Sequence, residues 1–127
     1  MYEITSQATE TAQFETVRRV EGFENITAQF PSYLTDESKF SCKPFDHLFF
    51  PRTEAELSAV MKEMARRGVR VTIAGARTGL VGGCVPNQGA LVSLENFDRI
   101  LALYYDQPSA EWRLKAQCAV SLRAIAA

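Results

Sequence analysis

The sequence predicts an α+β fold, in which helices flank a small β-sheet. Three observations carry this expectation. A capped, amphipathic helix stands between two short apolar runs. A glycine-rich stretch joins two strand-like segments without a helix between them. Further along, two alternating segments meet at a strong turn signal.

The opening residues are polar, and Phe14, Val17 and Val20 suit one face of a short helix that Gly22 can end. Pro31 interrupts the next segment, and residues 33–39 read as a loop rich in Thr, Asp, Glu and Ser. His47-Leu48-Phe49-Phe50 is an apolar run stopped by Pro51, as expected of a strand leading into a helix. Thr53 and Glu56 have capping-box spacing, so each side chain can take the other residue's free backbone N–H. Leu57, Val60, Met61, Met64 and Ala65 then recur at helical intervals, which predicts a helix over residues 54–67 with Leu57, Val60, Met61 and Met64 buried. Arg66 and Arg67 oppose the negative helix end, and Gly68 supplies the stop.

Val69, Val71 and Ile73 alternate with Arg70 and Thr72, which predicts a strand with one apolar side. Residues 86–89 read as a turn and residues 90–94 as a buried strand. Residues 101–105 are a further strand, followed by the turn Asp106-Gln107-Pro108-Ser109. From Trp112 to Val120 apolar and polar residues alternate, predicting a half-buried strand in a hairpin, with Trp112 packed. Ser121 is placed to cap a last helix beginning Leu122-Arg123-Ala124-Ile125. No glycine, proline or polar tail follows Ile125, so the sequence is expected to be the front piece of something longer.

With 127 residues, 46% hydrophobic and 23% charged, the composition is that of one soluble domain. Fourteen Lys+Arg against fifteen Asp+Glu give a formal net charge of −1, which argues against nucleic acid as a partner. No stretch approaches the roughly 20 apolar residues of a transmembrane helix. The polar N-terminus lacks an apolar signal core, so a cytoplasmic location is expected. Cys42, Cys84 and Cys118 stand alone without CxxC spacing, and with a single histidine, His47, no metal site is expected. Reduced thiols fit that compartment.

The informative segment is Gly75-Ala76-Arg77-Thr78-Gly79-Leu80-Val81-Gly82-Gly83. Glycines allow φ > 0 and close ligand approach, and successive exposed N–H groups form a concave anion site suited to phosphate or pyrophosphate. The Thr78 hydroxyl can add a hydrogen bond and Arg77 a charge. Two familiar loops do not match. GxxxxGK[ST] needs a lysine and a following helix, and GxGxxG must open a helix, whereas Cys84-Val85-Pro86 follows here. On spacing alone, a ligand site and a mobile surface loop both remain open.

From Gly75 to Pro86 the sequence resembles the flavin-pyrophosphate loop of FAD-linked oxidases of the vanillyl-alcohol oxidase type, approximately G-(G/A)-x-T-(G/S)-x-x-G-G-x-x-P. It looks closest to the branch of D-lactate, glycolate and D-2-hydroxyglutarate dehydrogenases. Residues 33–38 resemble that family's acidic Asp-x-Ser stretch. Phe50-Pro51-Arg52-Thr53-Glu54-Ala55-Glu56-Leu57 resembles its P-x-T-x-x-E-(V/L) helix start. Ala90-Leu91-Val92-Ser93-Leu94, with Phe97, Arg99 and Ile100, resembles the strand after the loop. Arg77 departs from the pattern, standing where many members carry glycine or asparagine, and the glycine before the last helix is replaced near Cys118-Ala119.

The resemblance implies the first subdomain of a PCMH-type FAD-binding domain, with a small mixed sheet and flanking helices. Residues 33–127 would form it, with residues 1–32 a helical N-terminal extension. It implies FAD as cofactor, held by Gly75, Ala76, Arg77, Thr78, Gly79, Leu80, Gly82, Gly83 and Cys84, and oxidation of a small 2-hydroxy acid or related alcohol. The expected partners are the C-terminal FAD and substrate domains of the same protein. The piece alone is expected to be inactive and to self-associate through its uncovered sheet face. No catalytic residue is assigned, and His47 reads as structural. A non-catalytic nucleotide- or partner-binding module is the alternative.

Overall fold

The computed structural model describes residues 2–127. Helix α1 (Tyr2–Thr16) is followed by strand β1 (Arg18–Glu21), helix α2 (Phe23–Gln29) and a single 3₁₀ turn, Pro31–Tyr33. Strand β2 (His47–Phe50), helix α3 (Glu54–Arg66), strand β3 (Val71–Ala74) and strand β4 (Ala90–Ser93) form the centre. A hairpin of β5 (Ile100–Asp106) and β6 (Glu111–Ala116) leads to helix α4 (Leu122–Ala126). The architecture is α+β, with a mixed four-stranded sheet flanked by helices and a separate two-stranded sheet.

The larger sheet has the order β1-β2-β4-β3. β4 lies parallel to both β2 and β3, while β1 runs antiparallel to β2 at the edge. The central strands are buried on both faces, which explains their unbroken apolar runs. Phe49, Ala90 and Val92 face one core with Phe14, Val60 and Met64 from α1 and α3. Leu48, Phe50 and Leu91 face the other with Ile26, Tyr33 and Phe45.

Helix α3 shows why its sequence was readable. Thr53 Oγ1 accepts the Glu56 N–H at 3.1 Å. The return arm is displaced by one residue, because the Glu56 carboxylate accepts the Arg52 N–H at 2.7 Å rather than that of Thr53. At the other end Gly68 takes φ 68°. Its N–H donates to Ala65 O at 3.1 Å, and the Val69 N–H donates to Met64 O at 2.9 Å, closing a Schellman turn. Val60 and Met64 are fully buried and Leu57 partly so. Met61 is 39% exposed, contrary to expectation, since it stands at the solvent edge of the stripe.

Two further expectations are corrected. Val20 belongs to strand β1, not to the first helix, which ends at Thr16 because β1 pairs with β2. Gly22, at φ 85°, starts α2 instead of ending α1. The hairpin and its turn are as expected, but β6 ends at Ala116 instead of Val120, it is exposed throughout, and Trp112 is 71% exposed. Its alternation is genuine, yet no described residue covers the apolar side.

Residues 33–42 form a first limb, a loop closed where the Cys42 N–H donates to Leu34 O at 3.2 Å, and it packs against the glycine-rich segment before β2 pairs in parallel with β4. The Tyr33 ring meets the Arg77 guanidinium, Asp36 approaches Gly79, and Phe40 touches Gly82. Lys43 then bridges Asn87 in parallel, and His47 pairs with Ala90 as the sheet begins. The first limb is the physical backing of the glycine-rich loop.

Candidate functional site

Strand β3 delivers the chain into the glycine-rich loop at the C-terminal end of the parallel strands, and β4 starts again only at Ala90. Ligands of open α/β sheets bind at this end. The structure divides the expected site residues into three groups. Gly75, Ala76 and Arg77 line a cleft of about 370 Å³ shared with Glu95, Asp98 and Ser121. Thr78, Gly79, Leu80 and Val81 are exposed, with Leu80 and Val81 at the apolar tip. Gly82 backs onto the exposed Phe40 ring, and Cys84 packs against the aromatic core cluster. Gly83 lies open, and a Cβ there or at Gly75 would meet nothing within 4 Å.

Arg77 has φ 57°, a left-handed conformation that glycine and asparagine adopt most easily. This explains why those residues suit the position and arginine is the departure. Its guanidinium stacks 3.9 Å from the centroid of the Tyr33 ring. Among the described residues its hydrogen bonding is confined to the Gly75 carbonyl, at 3.4 Å, and it joins no ion pair.

Tyr33 is buried, and its hydroxyl is held from two sides. It donates to Glu95 Oε2 at 2.6 Å and lies 2.7 Å from Ser93 Oγ, which can donate in turn. Burial, and then the hydrogen bond to Glu95, raises its pKa above the ordinary phenol value. Asp36, also buried, binds the Ser38 N–H at 2.8 Å and the Ser38 hydroxyl through Oδ1. The Ser38 hydroxyl is the main cause that holds its carboxyl below the usual range. Its Oδ2 has no hydrogen-bond partner and faces the Gly79 backbone, 3.9 Å from where a Cβ would stand.

Sequence reasoning assigned no role to Tyr33, Asp36, Ser93 or Glu95. The acidic Asp-x-Ser stretch was the available signal for Asp36. Nothing local couples Tyr33 to Glu95, 62 residues away. His47 stands at the opposite end of the sheet, stacked on Phe49 and 3.8 Å from Glu21 Oε1, and takes no part in the loop's surroundings. No group of three or more potential metal ligands occurs among the described residues.

A strand–loop–strand segment with open backbone thus lies beside a cleft at the C-terminal end of the parallel strands. Residues 45–127 match the FAD binding domain family, and the chain belongs to it. Its cofactor is FAD, and the fold is that of a PCMH-type FAD-binding domain. In fold it is similar to CrmK, a flavoenzyme involved in the shunt product recycling mechanism in caerulomycin biosynthesis. The TM-score is 0.60 at 15% identity, covering 87% of this chain and 21% of CrmK. Physcomitrella patens BBE-like 1 gives a TM-score of 0.51 at 17% identity, covering 78% of this chain and 21% of that one, and a variant of it gives 0.52. The chain thus spans about one fifth of the length of these structures.

The residues present fit the cofactor's pyrophosphate. The loop has open backbone at Gly75 and Gly83, and Arg77 is a cation without a carboxylate partner. Glu95 and Asp98 are acceptors, suited to hydroxyl donors rather than to an anion. The cleft is at the low end of the volume range of small-molecule sites, about 300–1,000 Å³, so it accommodates part of a dinucleotide.

Proposed function

We propose that this chain holds the pyrophosphate of FAD within a flavin-dependent oxidoreductase that acts on a small 2-hydroxy acid or related alcohol. The observation that carries the reading is the exposed glycine-rich loop with unpaired Arg77 at the C-terminal end of the parallel strands. The residues assigned to the cofactor are Gly75, Ala76, Arg77, Thr78, Gly79, Leu80, Gly82, Gly83 and Cys84. When bound, FAD supplies the hydride-accepting chemistry. The loop's N–H groups and Arg77 hold and orient it.

The substrate class rests on the resemblance of residues 75–86 to the 2-hydroxy-acid dehydrogenase branch. The substrate groups and the catalytic base are assigned to further domains of the same protein, in keeping with the much greater length of the solved neighbours. Free thiols at Cys42, Cys84 and Cys118 suit a reducing, cytoplasmic setting. No helix is long and apolar enough to cross a membrane among the described residues.

Each loop hydrogen bond is worth about 0.5–1.5 kcal/mol net, whereas immobilising the cofactor costs about 4 kcal/mol or more. Little or no retained FAD is therefore expected of these 127 residues alone. Calorimetric titration of the full-length protein with FAD and with riboflavin, which lacks the pyrophosphate, tests the reading. Saturable FAD binding at least about tenfold tighter than riboflavin supports it. Equal affinities, or no FAD binding, overturn it. Anaerobic bleaching of the flavin by D-lactate, glycolate or D-2-hydroxyglutarate in the full-length protein tests the substrate class, and no bleaching by any of them overturns it.

A further inference from the structure

Arg77 and Glu95 line the same cleft, yet they form no ion pair. A guanidinium and a carboxylate that meet form a strong, charge-assisted and often bidentate pair. Tyr33 touches both. One face of its ring carries the Arg77 guanidinium at 3.9 Å, and its hydroxyl donates to Glu95 Oε2 at 2.6 Å. The ring is fixed from behind by edge contacts with Phe50 and Phe30 and by its place in the core cluster. The 3₁₀ turn Pro31–Tyr33 delivers it there.

We infer that Tyr33 is a positioning residue that keeps Arg77 and Glu95 apart, leaving the Arg77 cation available to a phosphate. The inference rests on the reading of the loop as the FAD-pyrophosphate site and adds a residue to it. Its logic is competitive. Glu95 can satisfy itself with the Tyr33 hydroxyl or with Arg77. The hydroxyl, backed by Ser93 Oγ at 2.7 Å, occupies it. Arg77 meanwhile rests on a π face, which holds a cation without neutralising it. Asp98 lines the cleft as well but forms no ion pair with Arg77.

Removing only the hydroxyl frees Glu95 to capture Arg77. In the full-length protein, Tyr33→Phe is therefore expected to weaken FAD binding by about tenfold, the scale of one charge-assisted contact to phosphate. The loss should disappear in Tyr33→Phe/Glu95→Gln, where the carboxylate released by the missing hydroxyl is gone. It should also be absent when Tyr33→Phe is added to Arg77→Gly, whose own affinity is already reduced. Glycine suits φ 57°, so that background keeps the loop. A merely structural role for Tyr33 predicts the opposite: the same loss in all three backgrounds, with no rescue by Glu95→Gln. That pattern, or an unchanged affinity in Tyr33→Phe, overturns the inference while leaving the FAD site standing. No FAD binding to the wild-type full-length protein overturns both. A measurement free of any Tyr33 variant accompanies these. The Arg77 Nε–H resonance of the wild-type full-length protein should shift on addition of FAD, and an unmoved resonance in FAD-bound protein overturns the inference directly.

Discussion

Gly89 lies against the backbone of Arg70: a Cβ on Gly89 would stand 2.2 Å from the Arg70 carbonyl oxygen. That oxygen accepts the Ala90 N–H at 2.9 Å, and Gly89 itself has φ 79°. The contact seats β4 beside β3 at the first rung of their parallel pairing. Neither the φ angle nor the neighbour can yield cheaply, because both are backbone. Gly89→Ala is expected to cost at least about 2 kcal/mol. Urea unfolding checks this, and an unchanged midpoint would contradict the seating.

Gly79 is the contrasting case. Its φ is not left-handed, and its nearest neighbour is in ordinary contact, 3.9 Å away at Asp36 Oδ2. Gly79→Ala should therefore leave unfolding within about 0.5 kcal/mol of wild type. If the loop holds pyrophosphate, Gly79→Val should still lower FAD affinity by obstructing approach to the backbone. Undiminished affinity in the folded variant counts against the assignment of Gly79.

Helix α3 separates its two methionines. Met64 is fully buried, and Met64→Ala is expected to cost about 2–5 kcal/mol. Met61 is 39% exposed, and Met61→Ala should stay within about 0.5 kcal/mol. Equal costs in denaturant titrations would mean that the stripe is turned differently.

Arg66 and Arg67 both grip Glu63 at 2.6 Å, and the hydrogen bond from Arg66 is the main cause that lowers its pKa from 4.5 to about 2. The folded value lies below the unfolded one. The contribution is therefore fully present above the ordinary carboxylate value and is lost as pH falls from 4.5 toward about 2. Glu63→Gln should be less stable than wild type at neutral pH, and the gap should narrow progressively over that acid interval. A gap independent of pH would show that the pair does not act through this titration.

Trp112 is the single tryptophan of the sequence and is 71% exposed. Acrylamide should quench its fluorescence almost as readily as that of free indole. Strong protection would show that the hairpin face is covered in solution.

These particulars also show what was legible beforehand. Helix α3 announced itself because its cap, its stripe and its glycine stop are all local, and β4 because burial on both faces leaves an unbroken apolar run. Strand β1 was hidden: Arg18-Arg19-Val20-Glu21 has almost no apolar signal and is a strand only because β2 offers it an edge. For β6, alternation correctly marked an apolar side, but alternation carries no information on whether anything covers it. The glycine-rich loop was found from its composition. Its backing was not, because the Tyr33 contacts with Ser93 and Glu95 join residues 60 and 62 positions apart.

The hydrogen bond from the Cys42 N–H to Leu34 O closes residues 34–42 into a loop, and only after it do Lys43 and His47 fall into step with Asn87 and Ala90. A residue added at the tip of that loop should be absorbed where it arises. A residue added between Lys43 and His47 should throw one of the two rungs out of register, because the sheet holds the other. The segment is thus a slack coil followed by a taut tether, and only the coil can change length freely.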